Sequence, residues 1–130
     1  MRNTIAISAA ASLLLIAGCA GAADAEPAEP PFKAALDACD LPEVPAAKLG
    51  DDGETLILDG ANEDGWGLSH ERMDCLLGAL NIPDSVDAQM GATRALDGMQ
   101  TATWDGITAT WTYHPDAGLD ITLKFTPAAD

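Results

Sequence analysis

The sequence is poor in basic and aromatic residues. Only 6 Lys and Arg stand against 21 Asp and Glu, which gives a formal net charge of −15, and Phe, Trp and Tyr make up 5% of the 130 residues. Because such a charge repels phosphates, the composition argues against nucleic acid as a partner and against adsorption to anionic lipid. The apolar share of 48% is ordinary for a folded protein and excludes disorder of the whole chain.

The chain also lacks the motifs of common enzymes. It has no phosphate-binding loop and no dinucleotide fingerprint, and its two histidines, His70 and His114, are too far apart to predict a zinc site. Ser69 directly precedes His70, but neighbours at a helix start do not face each other as nucleophile and base. We therefore expect a non-catalytic protein that needs no cofactor.

The N-terminus has the pattern of an export signal. Arg2 is followed by an apolar run at residues 4–16, which is too short to span a bilayer. The run leads into IAGC, ending at Cys19, which resembles the lipobox of bacterial lipoproteins. This predicts a signal peptide at 1–18 and an extracytoplasmic protein attached to the membrane through a lipidated Cys19. The alternative is an ordinary signal peptide cleaved near Ala23.

The rest of the chain divides into a tether and one domain. Residues 19–31 contain the lipidated cysteine and an Ala-, Pro- and acid-rich stretch that cannot form a core. Residues 32–127 are long enough for a single small domain. Cys39 and Cys75 remain as a pair and predict a disulfide outside the cytoplasm; a reactive thiol pair or a two-thiolate metal site is the alternative.

Three helices are predicted. Phe32, Ala35, Leu36 and Cys39 recur at helical spacing. Ser69 is placed to cap a second helix at about 70–80, which Pro83 follows. A third helix is expected at about 83–93.

The last third of the chain predicts a three-stranded antiparallel meander. Asp105-Gly106 is a two-residue hairpin turn, and a second turn spans residues 114–118. Both turns place the same apolar residues on one face, with the pairs Trp104–Ile107, Ala102–Ala109, Gln100–Trp111, Tyr113–Leu119, Trp111–Ile121, Ala109–Leu123 and Ile107–Phe125. That face has to be covered, and the helices at about 70–80 and 83–93 are the available cover.

The predicted fold class is therefore α+β: a helix pair packed on one face of a three- or four-stranded antiparallel meander, with one disulfide and with Thr55–Leu58 as a candidate edge strand. The order of helices and Trp-rich strands over residues 69–125 is similar to β-lactamase-inhibitor-like domains and to SmpA/OmlA-like lipoproteins. Nearly the whole chain resembles uncharacterised small lipoproteins of high-GC Gram-positive bacteria, through IAGC, TLILDG, DCLLGALNIP, TRALDGMQ and WTYHPDAGLDI. This resemblance implies no activity.

Two surfaces are candidates for binding. The loop at residues 59–71 partly matches the EF-hand pattern, and the match predicts a calcium site at Asp59, Asn62, Asp64 and Glu71. The alternative is a solvated acidic loop. The other surface is the polar face of the meander. It is either a docking surface for an envelope protein or glycan or a sheet face that is exposed to solvent and binds nothing. Its residues are Thr101, Thr103, Thr108, Thr110, Thr112, Thr122 and Lys124.

The sequence thus predicts a lipid-anchored binding or structural module of the cell envelope. The alternatives are a calcium-dependent surface module and an accessory or inhibitor subunit of an envelope enzyme. Trp66 is expected to pack into the core beneath its loop, and the alternative is an exposed aromatic contact. Salt bridges are expected between Arg94 and Asp97 and between Arg72 and Asp74.

Overall fold

The computed structural model describes residues 28–41 and 44–127. The predicted signal peptide, Cys19 and the tether as far as residue 27 lie outside the described residues. Within the described ranges no helix is long and apolar enough to cross a membrane. The elements in chain order are α1 (Phe32–Ala38), β1 (Ala47–Gly50), β2 (Thr55–Leu58), α2 (His70–Ala79), α3 (Asp84–Ala92), β3 (Gln100–Trp104), β4 (Ile107–His114) and β5 (Gly118–Phe125).

The five strands form one antiparallel sheet in the order β1-β2-β5-β4-β3, which confirms the α+β class. The sheet is larger than predicted because β1 was missed. Its four residues, AKLG, contain a lysine and a glycine and no β-branched residue, so they give little strand signal. The prediction that Thr55–Leu58 is an edge strand is wrong, since β2 lies between β1 and β5.

The register of the meander is confirmed in full. Trp104 pairs with Ile107 across the first turn and Trp111 pairs with Ile121 across the second. Asp105 and Gly106 have φ values of 46° and 79°, as a hairpin turn with two left-handed residues requires. The inner face consequently holds Ile107, Ala109, Trp111, Ile121, Leu123 and Phe125, all of them buried.

Three helices contribute to the core on this inner face. The buried residues are Phe32, Ala35 and Leu36 of α1, Met73, Leu76 and Leu77 of α2, and Val86 and Met90 of α3. Cys39, at the end of α1, forms the predicted disulfide with Cys75 of α2, with 6.0 Å between the two Cα atoms. The bond fixes the N-terminal helix to the helix that covers the sheet.

Two tryptophans also tie the sheet to the helices through their indole N–H groups. The Nε1 of Trp104 donates to the carbonyl oxygen of Leu80, just after α2, at 2.9 Å. The Nε1 of Trp111 donates to Oγ1 of Thr93, just after α3, at 2.9 Å. The Oγ1 hydroxyl of Thr93 in turn donates to the carbonyl oxygen of Gln89 at 2.7 Å. Each ring therefore buries its apolar body and satisfies its one donor at a helix end.

Candidate functional site

The outer face of the sheet brings together all the residues predicted for a binding face. Across the strands Thr101 pairs with Thr110, Thr110 with Thr122, and Thr122 with Ile57. A neighbouring row contains Thr103, Thr108 and Lys124, and Thr112 pairs with Asp120. These side chains are exposed or half-buried, because the helices occupy the opposite face. The result is a polar surface five strands wide that no helix of the described residues covers.

Apolar side chains interrupt this polar surface at one end. Ile57 is 41% exposed and Met99, just before β3, is 70% exposed. They line a shallow hollow of about 160 Å³ whose floor includes Thr110 and whose rim carries the carboxylates Asp59 and Asp120. The hollow combines apolar contact with negative charge and has no basic residue in its lining.

A short turn beside the hollow is closed by hydrogen bonds between Arg94 and Asp97. The backbone N–H of Arg94 donates to Oδ2 of Asp97 at 2.7 Å, and its guanidinium lies 3.4 and 3.5 Å from the same carboxylate. These bonds, the backbone one first, hold the pKa of Asp97 below its ordinary value. Leu96 sits on this turn and is 98% exposed. The turn thus presents a large apolar side chain to solvent on an ordered backbone.

Of the two predicted salt bridges, the described residues show that of Arg94 and not that of Arg72. Arg94 pairs with Asp97, as expected. Asp74 lies instead 3.3 Å from Nε2 of His70, one helical turn earlier. Ser69 is used as predicted, because its Oγ accepts from the backbone N–H of Arg72 at 3.4 Å and caps α2.

The loop at residues 59–71 is closed largely by its own hydrogen bonds. The backbone N–H of Leu68 donates to the carbonyl of Asp59 at 2.9 Å, and Oδ1 of Asn62 accepts from the backbone N–H of Trp66 at 2.9 Å. Glu71 lies in the first turn of α2. The described residues contain no group of three or more His, Cys, Asp or Glu placed to hold a metal. The calcium site stays a prediction, and one of its four ligands already has a hydrogen-bond donor.

Trp66 was expected in the core, and that expectation is wrong. It lies at the tip of the loop between Gly65 and Gly67 and is 53% exposed. Both glycines have positive φ, 83° and 111°. A Cβ on Gly67 would overlap the carbonyl oxygen of Gly60, so the backbone packs closely there and this position requires glycine.

A separate cleft of about 400 Å³ lies where this loop meets the turn between β4 and β5. His70, Met73 and Tyr113 contribute to its lining, together with Asn62 and Glu63. His70 is almost fully exposed there, and its contact is with Asp74 rather than with a nucleophile.

Comparison with known proteins leaves the site to be interpreted from its own geometry. No protein-family model, no curated protein and no solved structure matches the chain. The features that sequence reasoning missed are Leu96 and Met99, whose exposure has no signal in the sequence, because an apolar residue after a helix is just as typical of a core position.

Proposed function

We propose that the chain is a lipid-anchored, extracytoplasmic and non-catalytic module that binds a partner protein through the outer face of its sheet. The observation that carries the proposal is the outer face itself: within the described residues the helices lie on one side of the five-stranded sheet, and Ile57 and Met99 are exposed among threonines on the other. Apolar contact ringed by polar groups is typical of protein interfaces.

The location is supported from two directions. IAGC ending at Cys19 leaves an even number of cysteines for the domain. The remaining two form the Cys39–Cys75 disulfide, and structural disulfides form and persist outside the reducing cytoplasm. Replacing Cys19 by Ala is expected to release the protein from the membrane fraction.

A protein is a better partner than a glycan for this face. Aromatic rings that stack on sugar rings are absent from the outer face in the described part of the chain, because Trp104, Trp111 and Phe125 all point into the core. The partner should present an apolar side chain next to Lys or Arg, since the hollow pairs Ile57 and Met99 with Asp59 and Asp120. The net charge of −15 would speed the approach of a basic surface, and binding should weaken with salt.

Site-specific photo-crosslinking in intact cells tests the proposal. A photoreactive residue at Thr110, on the outer face, should give one discrete adduct, whereas the same residue at the exposed Ala88 of α3 should give none. Ile57→Lys should reduce the Thr110 adduct. The proposal is contradicted if Thr110 gives no adduct or if both positions give the same products. The identity of the adduct separates a structural partner from an envelope enzyme with this chain as accessory or inhibitor subunit.

A further inference from the structure

The edge strand β3 has none of the usual protection against pairing with another strand. Its five residues, QTATW, include no charge and no proline, and they pair with β4 without a bulge. The opposite edge, β1, is only four residues long and contains Lys48 and Gly50. Short edges and edge lysines discourage strand pairing, whereas a regular uncharged edge invites it.

The free hydrogen-bonding groups of this edge can be assigned from the hairpin. In a two-residue hairpin the residues flanking the turn are hydrogen-bonded to each other, so Trp104, Ala102 and Gln100 bond to β4. The N–H and C=O groups of Thr101 and Thr103 therefore point away from the sheet. The bond from Thr126 N to Gly106 O, at 2.8 Å, fits this alternation on the far side of β4.

The exposed apolar residues lie at the start of the same edge. Met99 directly precedes β3, and Leu96 is on the turn that leads into it. Besides the Arg94–Asp97 bonds, the Nε2 of Gln100 donates to the carbonyl oxygen of Asp97 at 2.8 Å. An ordered turn of this kind loses little conformational entropy when a partner covers it.

Hollows lie on both faces of the sheet next to this edge. On the inner side, a recess of about 260 Å³ between the end of α3 and β3 is lined by Gln89, Ala92, Thr93, Asp97 and Gln100. On the outer side, the hollow described above reaches the start of this edge at Met99, and its other lining residues lie on β4, β5 and β2 or are Asp59. Successive side chains of an added strand point to opposite faces, so neighbouring residues of such a strand are directed alternately towards the side of the inner recess and the side of Met99.

We infer that the β3 edge binds an extended segment of a partner protein, which adds to the sheet as a sixth strand and packs an apolar side chain against Leu96 and Met99. This rests on the proposed function and names the form of its partner. Backbone bonds to Thr101 and Thr103 supply the pairing, and alternate side chains of the added strand face the inner recess and Met99.

The occupant is a different protein, and the segment that it adds is basic. A second copy would bring another net charge of −15 to the same edge. Residues 20–31 of this chain contain three prolines and three acidic residues, and proline cannot donate to a strand ladder. Asp97 and Asp105 lie near the two ends of the edge, which favours Lys or Arg at the ends of the added segment.

The test compares Thr103→Pro with Thr103→Val in the full-length chain, with a photoreactive residue at the exposed Ala95. Proline removes an outward N–H and leaves the ladder to β4 intact, whereas valine keeps the N–H and removes only the hydroxyl. Thr103→Pro should reduce the adduct by about tenfold or more, the effect of losing one well-buried hydrogen bond. Thr103→Val should stay within about twofold of the parent.

The outcomes separate this inference from the proposed function. If Thr103→Pro leaves the Thr110 adduct unchanged, strand addition is contradicted but the proposed function is not. Absence of any adduct from both Thr110 and Ala95 contradicts both proposals. An adduct of the chain with itself makes a second copy the occupant and overturns the inference.

Amide hydrogen exchange on the unmutated protein provides a second readout that does not depend on the proline variant folding. Once the crosslinked partner is purified, binding should slow exchange at Thr101 and Thr103 by about tenfold or more, because their N–H groups enter a ladder. Thr110, whose N–H is already bonded within the sheet, should not change. Unaltered exchange at Thr101 and Thr103 in the complex overturns the inference.

Discussion

The hydrogen bond between Trp111 and Thr93 is expected to be a major support of the fold. Trp111 is 1% exposed, so its indole N–H has no access to water when Thr93 is replaced. Thr93→Val keeps the shape of the side chain and removes the acceptor. Leaving a buried donor without a partner costs about 1–3 kcal/mol. In a domain of about 100 residues each kcal/mol lowers Tm by about 4–8 °C.

Urea and thermal unfolding of three variants test this reasoning. Thr93→Val should lower the free energy of unfolding by about 1–3 kcal/mol. Thr93→Ser, which keeps the hydroxyl, should recover part of the loss. Thr110→Val makes a similar exchange on the outer face and should change stability by less than about 0.5 kcal/mol. The reasoning is refuted if Thr93→Val and Thr110→Val have the same Tm.

Further predictions concern the disulfide, the tight loop and calcium. Replacing Cys39 and Cys75 by Ser should lower the free energy of unfolding by about 4 kcal/mol, the loop-closure entropy for a separation of 36 residues, as measured in urea. Gly67→Ala should lower Tm more than Gly65→Ala, since both have positive φ but nothing lies within 4 Å of a Cβ on Gly65; equal losses would show that the contact with Gly60 is unimportant. If the loop at residues 59–71 binds calcium, millimolar calcium should raise Tm and give heat in calorimetry; no response to either would end that hypothesis.

The meander could be predicted because two turns specify its register independently. Asp105-Gly106 and the turn at residues 114–118 each fix which side chains share a face, and a slip of one residue at either would expose Trp111. The residues of the turns and the pattern of apolar residues therefore predict the same strand register, and no other register satisfies both. The disulfide followed from counting, since setting Cys19 aside as the predicted lipid carrier left one pair of cysteines.

The other half of the sheet was harder to predict because tertiary contacts decide it. β1 becomes a strand because the turn at Asp51–Gly53 folds it back onto β2, where Ala47 and Leu49 pair with Leu58 and Leu56. Sequence alone placed Thr55–Leu58 at the edge, since no neighbour for it was apparent.

The candidate binding face was predictable as a list of residues but not as a site. Alternation placed the threonines on the outer face, yet nothing in the sequence shows that Leu96 and Met99 are exposed or that Arg94 and Asp97 fix the turn between them. The exposure of Trp66 was likewise not apparent from the sequence, which does not show that the neighbouring Gly65 and Gly67 both have positive φ.

Hydroxyl-radical footprinting of Met99 in intact cells and in the purified protein tests most directly whether the exposed edge is occupied. Trp66, also exposed but in a separate loop, serves as the internal reference. The account predicts that the oxidation of Met99 relative to Trp66 falls severalfold in cells, where a partner covers the edge. An equal ratio in cells and in purified protein would contradict it.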